Sequence, residues 1–168
     1  ATVSEIRHRF PETKTREFLR RAITNARKAG LEERTGWPFG AAIVDRDGVV
    51  VADGSNHVFA NFDPTAHAEV QAIRAACANR RVISLAGCIL YSSSEPCPMC
   101  LGAAYWSGVD GVVFAARAED AASINGFDDA YLYDQFALPA ASRPLPMLEA
   151  LREEAVEVLK AFDASSRA

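Results

Sequence analysis

Apolar and polar positions along the chain change period several times, and each change predicts an element. From Thr13, a residue suited to a helix N-cap, Phe18, Leu19, Ala22, Ile23 and Ala26 recur on one helical stripe, and Gly30 supplies a stop. The period then shortens: "AAIVDRDGVVVADGS" holds two β-rich runs around Asp47-Gly48, which predicts an antiparallel hairpin. In "AHAEVQAIRAACANR", Ala68, Val70, Ile73, Ala76 and Cys77 suit the buried face of a second helix. "GCILYSSS" reads as a strand, "PMCLGAAYWSG" as a helix of small residues closing at Gly108, and "GVVFAA" as a fourth strand. An acidic, alanine-rich helical turn leads into "NGFDDAYLYDQF", and the proline-punctuated "LPAASRPLP" precedes a last amphipathic helix, about Met147 to Phe162. That helix puts Leu148, Leu151, Ala155, Val158 and Leu159 on one side. Strands alternating with helices predict an α/β sandwich on a mixed sheet, its first pair antiparallel and its later strands reached through helical crossovers.

A chain of 168 residues is the size of one domain, and 49% apolar against 24% charged residues sets it among globular proteins rather than disordered ones. The formal net charge of −4 offers no broad positive field for a phosphate backbone, so nucleic acid is not an expected partner. The Arg and Lys residues from Arg7 to Lys28 read as a solvated helix face. No apolar run approaches the roughly 18 residues of a membrane span, and "ATVSEIRHRFPETK" lacks the apolar core of a signal peptide. A cytoplasmic protein without a membrane partner is expected. Four cysteines, two of them in a Cys-x-x-Cys pair, look like reduced thiols rather than a disulfide scaffold, with Cys77 and Cys88 in the core.

Two short phrases carry the chemistry. His67 opens one predicted helix, and Cys97 and Cys100 open another, where exposed backbone N–H groups favour thiolates. A catalytic zinc takes three protein ligands and keeps a position for water or hydroxide, and His67, Cys97 and Cys100 are three candidates. A closed structural zinc would need a fourth ligand, with His8, His57, Cys77 or Cys88 to choose from. Glu69, two positions after His67, is not needed as a ligand and can carry protons instead. The pairing of His67-Ala68-Glu69 with Pro96-Cys97-Pro98-Met99-Cys100 is the signature of zinc-dependent deaminases.

On these residues the chain resembles the cytidine-deaminase-like superfamily, and within it the bacterial guanine deaminase branch. The similarity runs from about Phe18 to Tyr133 through "PFGAAIV", Asn56-His57, "DPTAHAEVQAIRAAC", "ILYSSSEPCPMCLGAAYW" and "GFDDAYLY". The resemblance implies a three-layer αβα fold around a mixed five-stranded sheet, formed by residues 1–168 as a single zinc-dependent deaminase domain. It implies a homodimer or larger assembly, in which the C-terminal segment could be exchanged. It also implies one Zn2+ per chain on His67, Cys97 and Cys100, a water or hydroxide in the fourth position, and proton transfer by Glu69. Asn56 would hydrogen-bond a purine, Ala68 would offer its backbone N–H, and Phe39 and Trp106 would line the base pocket. Asp129 would face the amino edge of the substrate, with Asp128 as its neighbour. The implied reaction is guanine to xanthine plus ammonia. The alternatives are guanosine, cytosine or an aminated triazine, then a transfer-RNA adenosine deaminase or a non-catalytic zinc-binding protein. One departure stands out: guanine deaminases of this type often end in an aromatic residue that reaches the active site, whereas this sequence ends "DASSRA", so that either Tyr131 or Tyr133 substitutes or the pocket accepts a different ring.

Overall fold

The sheet is assembled from four short runs of β-branched and small residues: β1 (Gly40–Val44), β2 (Val50–Ser55), β3 (Ile89–Ser94) and β4 (Gly111–Ala116). They lie in the order β2-β1-β3-β4, with β1 antiparallel to both neighbours and β3 parallel to β4. The computed structural model of the chain describes residues 1–166; Arg167 and Ala168 of the "DASSRA" terminus lie outside them. Among the described residues the sheet has four strands, not the five that the resemblance implied. The sequence beyond β4 explains the difference. It turns at once into the alanine-rich helix α6 (Ala118–Asn125), where Arg117 N–H donates to Asp120 at 2.8 Å. The irregular stretch after α7 (Asp129–Ala137) carries Pro139, Pro144 and Pro146, which cannot donate to a ladder.

Side chains on the strands alternate between two helical layers. On one face Val44, Ile89 and Tyr91 pack against Phe18 of α2 (Glu12–Arg27). On the other, Ala41, Ile43 and Leu90 meet Ala68, Ala72 and Ala76 of α4 (Ala68–Arg80), which follows the short helix α3 (Val58–Asn61), and Ala104 of α5 (Pro98–Ser107). This is the expected αβα layering. Alanines let α4 settle very close to the sheet: a Cβ added at Gly54 would lie 2.1 Å from the Ala68 carbonyl and 2.6 Å from Ala72 N. The start of α4, and therefore His67, is set by backbone pressed on β2.

Several boundaries differ from the sequence reading. Pro11, not Thr13, precedes α2, and Gly30 does not stop the chain, which continues as a π-helical turn over Lys28–Glu32. Gly30 is there for packing, since a Cβ would meet Pro38 Cβ at 2.6 Å. Ile23 leaves the expected stripe and is exposed. The segment before Thr13 contains a further helix, α1 (Val3–His8), capped by Thr2, and Arg9 fastens it with a 2.8 Å ion pair to Asp110 and a 3.1 Å bond to the Gly87 carbonyl. In the hairpin, Asp45 Oδ1 accepts from Asp47 N and Val49 N at 3.0 and 2.9 Å, and Gly48 takes the left-handed conformation (φ 79°).

Asp53 on β2 ties α2 to the sheet. Arg21 donates to both of its oxygens at 2.6 Å, and Asn25 Nδ2 bridges Asp53 at 2.9 Å and the Ala41 carbonyl at 3.1 Å. The Arg21 hydrogen bonds, helped by Asn25, hold the Asp53 carboxyl below the usual carboxylate range. A carboxyl depressed in the folded state contributes stability above its unfolded pKa of about 3.9, and that stability is lost as pH falls through the lower folded value. The melting temperature of the wild type is therefore expected to fall more steeply than that of Asp53→Asn once pH drops below about 4. Parallel melting curves against pH would rule out this contribution.

The chain divides into two units, Ala1–Asp129 with the sheet and Ala130–Ala168. In the second unit, Arg143 donates to the carbonyls of Gln135, Phe136 and Leu138 at 3.1, 3.3 and 3.1 Å, closing the C-terminus of α7. The last helix, α8 (Arg152–Ser166), starts later than Met147 because Leu151 is left-handed (φ 54°) and Pro144 and Pro146 precede it. Its expected apolar side, with Val158 and Leu159, is exposed rather than buried. No helix among the described residues is long and apolar enough to cross a membrane.

Candidate metal centre and adjoining pocket

His67 and Cys97 occupy equivalent places. Each is the extended residue before a helix (φ −68°, ψ 152° and φ −64°, ψ 166°), the position usually given to Ser, Thr, Asp or Asn, and neither uses its side chain as a cap. The imidazole and the thiol are thus free for other work. Asp63 shapes the approach to His67, accepting from Thr65 N and Oγ1 at 2.8 and 2.6 Å, while His67 N donates to the Thr65 carbonyl at 2.7 Å. Pro98 begins α5 at a place where no N–H is needed, and Cys100 lies in the same first turn.

This arrangement puts Cys97 Sγ and Cys100 Sγ each 3.5 Å from His67 Nδ1. All ligand atoms of the trio lie within 4.8 Å of one another, and among the described residues His8, His57, Cys77 and Cys88 do not join them. His57 Nδ1 instead sits 2.9 Å from the Ser55 carbonyl, and Cys88 is buried in the core. The donors fit zinc. A tetrahedral ion with Zn–N near 2.0–2.1 Å and Zn–S near 2.3 Å separates neighbouring nitrogen and sulfur ligands by about 3.5 Å, as found here, and two thiolates with one imidazole leave a position open. The Cys100 hydrogen bond and the nearby His67 push the Cys97 thiol down to about 4. Two helix N-termini converge on the same atoms and favour negative charge there.

Glu69, in the first turn of α4, is 6% exposed. Its Oε1 accepts from Ser92 Oγ at 3.2 Å, and its Oε2 lies 3.4 Å from Cys100 Sγ. Burial pushes this carboxyl up from the usual carboxylate range, favouring its protonated form more than in an exposed glutamate.

The trio opens onto a cavity of about 200 Å³ lined by His67, Glu69, Cys97, Asn56, Asp129, Ser94, Glu95 and the aromatic rings of Trp37, Phe39 and Phe127. The rings form a linked wall: Phe127 meets Trp37 and Phe39 edge-on at centroid distances of 5.1 and 5.5 Å, and Trp37 meets Phe59 at 4.8 Å. Asn56 is 1% exposed, and its Oδ1 accepts from Trp37 N at 3.1 Å and Val58 N at 3.2 Å. Its Nδ2 hydrogens are what it has left for the cavity. Gly36 has to be glycine for this, because a Cβ would lie 2.0 Å from Asn56 Oδ1. Partial burial, followed by the Cys97 charge, raises the Asp129 carboxyl.

The sequence-based candidates His67, Glu69, Cys97, Phe39, Asn56 and Asp129 therefore meet in one place. Ala68 is buried under Gly54, and its backbone N–H belongs to the first turn of α4, where no helical acceptor exists. Trp106 is a correction: it lies on the outer side of α5, 91% exposed and away from the cavity, because Cys100, Ala104 and Ser107 form the inward stripe of that helix. Trp37 is the tryptophan that lines the cavity. Sequence reasoning missed Trp37, Phe127 and Ser92. Trp37 and Phe127 stand directly beside "PFG" and "DD", but nothing in their period distinguished wall from core.

Comparison with known proteins agrees with this geometry. The family model of the cytidine and deoxycytidylate deaminase zinc-binding region matches residues 12–116, which include the trio and Glu69. Guanine deaminase of Bacillus subtilis is 46% identical over 145 residues, covering 86% of this chain and 91% of that protein. A crystal structure of Bacillus subtilis guanine deaminase superposes with a TM-score of 0.83 at 44% identity, covering 89% of this chain and 93% of the other. A transfer-RNA-specific adenosine deaminase of Aquifex aeolicus is 40% identical over 99 residues, 59% of this chain and 64% of that protein. With its ligands, its buried carboxyl and its sheet order all in place, the chain belongs to the zinc-binding cytidine and deoxycytidylate deaminase family.

Proposed function

We propose that the chain is a zinc-dependent aminohydrolase that converts guanine to xanthine and ammonia. The observation that carries this reading is the meeting of His67, Cys97 and the buried Glu69 with aromatic walls, Asn56 and Asp129 in a single cavity of about 200 Å³, with Cys100 grouped with His67 and Cys97 behind it. Such a space takes one flat ring system. The near full-length similarity to Bacillus subtilis guanine deaminase supports guanine as that ring.

Zinc held by His67, Cys97 and Cys100 would lower the pKa of a water in the remaining position to about 7, supplying hydroxide in neutral solution. Glu69 would take one proton of the attacking water to a ring nitrogen as the C–O bond forms, and would then carry the second proton, from the new hydroxyl group, to the departing amino group. One C–O bond forms, one C–N bond breaks, and nitrogen leaves as ammonia. Asn56 Nδ2 donates to the acceptor edge of the base, Asp129 accepts from its amino edge, and Phe39, Phe127 and Trp37 hold the ring plane.

Residues 1–168 act in this reading as one catalytic domain. Leu148, Val158, Leu159 and Phe162 are each at least 69% exposed, which favours a homodimer, with exchange of the C-terminal segment as one way to cover them. A monomeric mass in sedimentation would end that part of the reading. Four thiols without a disulfide suit the cytoplasm.

The test is ammonia release by the zinc-loaded protein from guanine, guanosine, cytosine, cytidine, adenine and aminated triazines. Guanine is expected to react fastest, and Asp129→Asn to lower kcat/KM for guanine by about tenfold or more through loss of a charged hydrogen-bond acceptor. Turnover of another ring with guanine inert would replace the substrate. Saturable purine binding without ammonia would replace the enzyme with a binding protein.

A further inference from the structure

Strand β3 sends Ile89 and Tyr91 to the α2 side of the sheet and Leu90 to the α4 side. Ser92, two residues after Leu90, follows it onto the α4 face and is 1% exposed. An apolar residue would be at home there. A hydroxyl sealed in such a place costs free energy unless it is hydrogen-bonded, and Ser92 Oγ donates to Glu69 Oε1 at 3.2 Å. The opposite oxygen, Oε2, lies 3.4 Å from Cys100 Sγ, on the side of the ligand trio.

We propose that Ser92 is a positioning residue for proton transfer: its hydroxyl anchors Glu69 Oε1, so that Oε2 is the oxygen presented to the reacting water and base. The proposal rests on the reading of Glu69 as the proton carrier. A glutamate carboxyl turns about a broad, two-fold terminal torsion, so its direction has to be imposed from outside. Cys100 cannot impose it once it ligates a metal, because it does so as a thiolate and has no proton to give. Among the described residues the side chains of Ser92 and Cys100 hydrogen-bond the Glu69 carboxyl, and of these two Ser92 alone keeps a donor in that state; the backbone N–H of Glu69 itself is a further donor to the carboxyl. Strand β3 is central and paired on both edges, so it makes a rigid base for such an anchor.

The experiment compares zinc-loaded wild type with Ser92→Ala by metal analysis, thermal unfolding, steady-state kinetics and crystal structure. Equal zinc, a similar melting temperature and KM within about twofold are expected, with kcat lowered about ten- to a hundredfold, the size of a lost hydrogen bond to a charged group. The Glu69 carboxyl should leave its wild-type rotamer in the crystal. An unchanged Glu69 rotamer, kcat within about twofold of wild type, or a kcat loss that tracks zinc loss or unfolding overturns the proposal. Failure of the wild type to turn over guanine overturns the substrate reading alone, and the rotamer then decides the role of Ser92 without any substrate.

Discussion

Glu69→Gln is expected to bind a full complement of zinc and melt close to wild type while releasing ammonia from guanine about a hundred- to ten-thousandfold more slowly, the usual worth of a placed proton carrier. The substitution is nearly isosteric. Ser92 Oγ can still donate to the amide oxygen, and the residue is not one of the ligand trio. What changes is the capacity to take a proton. Burial raises the Glu69 carboxyl, so the wild type can both accept and return a proton, whereas an amide does neither. Zinc content, a melting curve and an ammonia assay on the same preparation decide the matter. Residual turnover above about a tenth of wild type would remove Glu69 from the proton path.

Cys97→Ala is expected to act at an earlier level, on the metal and through it on the fold. Cys97 is at once the residue before α5 and a thiol pushed down to about 4, ready to ligate as a thiolate. Removing it leaves His67 and Cys100 as two ligands on two different helices, too few for a tight site. Metal binding and folding are coupled, so the variant should retain little zinc after dialysis, show no ammonia release and melt several degrees below wild type in zinc-containing buffer. The two melting temperatures should converge in chelator, where neither protein carries the ion. Full zinc occupancy in Cys97→Ala would disprove the ligand assignment.

The metal phrases were readable in the sequence because His67-Ala68-Glu69 and Pro96-Cys97-Pro98-Met99-Cys100 together form a known signature of zinc deaminases. The Asp47-Gly48 hairpin was readable because its signal is local. The expectation of a fifth strand came from the resemblance and not from any β-rich run, and the sequence beyond β4 contains none. Trp106 was misplaced although its position was open to deduction, since Cys100, Ala104 and Ser107 already form the inward stripe of α5. Trp37, Phe127 and Ser92 were out of reach of such reasoning. Their roles depend on what a distant loop or strand brings opposite them, and neither period nor composition carries that information.

The fastening of Asn56 gives the cavity a particular mechanical character. Its amide oxygen is tied to Trp37 N and Val58 N, Thr35 Oγ1 donates to its own carbonyl at 2.8 Å, and Gly36 leaves no slack beside it. Two loops on either side of the β1–β2 hairpin are thereby welded through one side chain, and a ligand pulling on Nδ2 loads both at once. In the role proposed for Asn56, this edge behaves as a stiff gauge rather than an adaptable glove. Recognition there carries little ordering cost, and a ring of the wrong outline is refused by misfit instead of being accommodated.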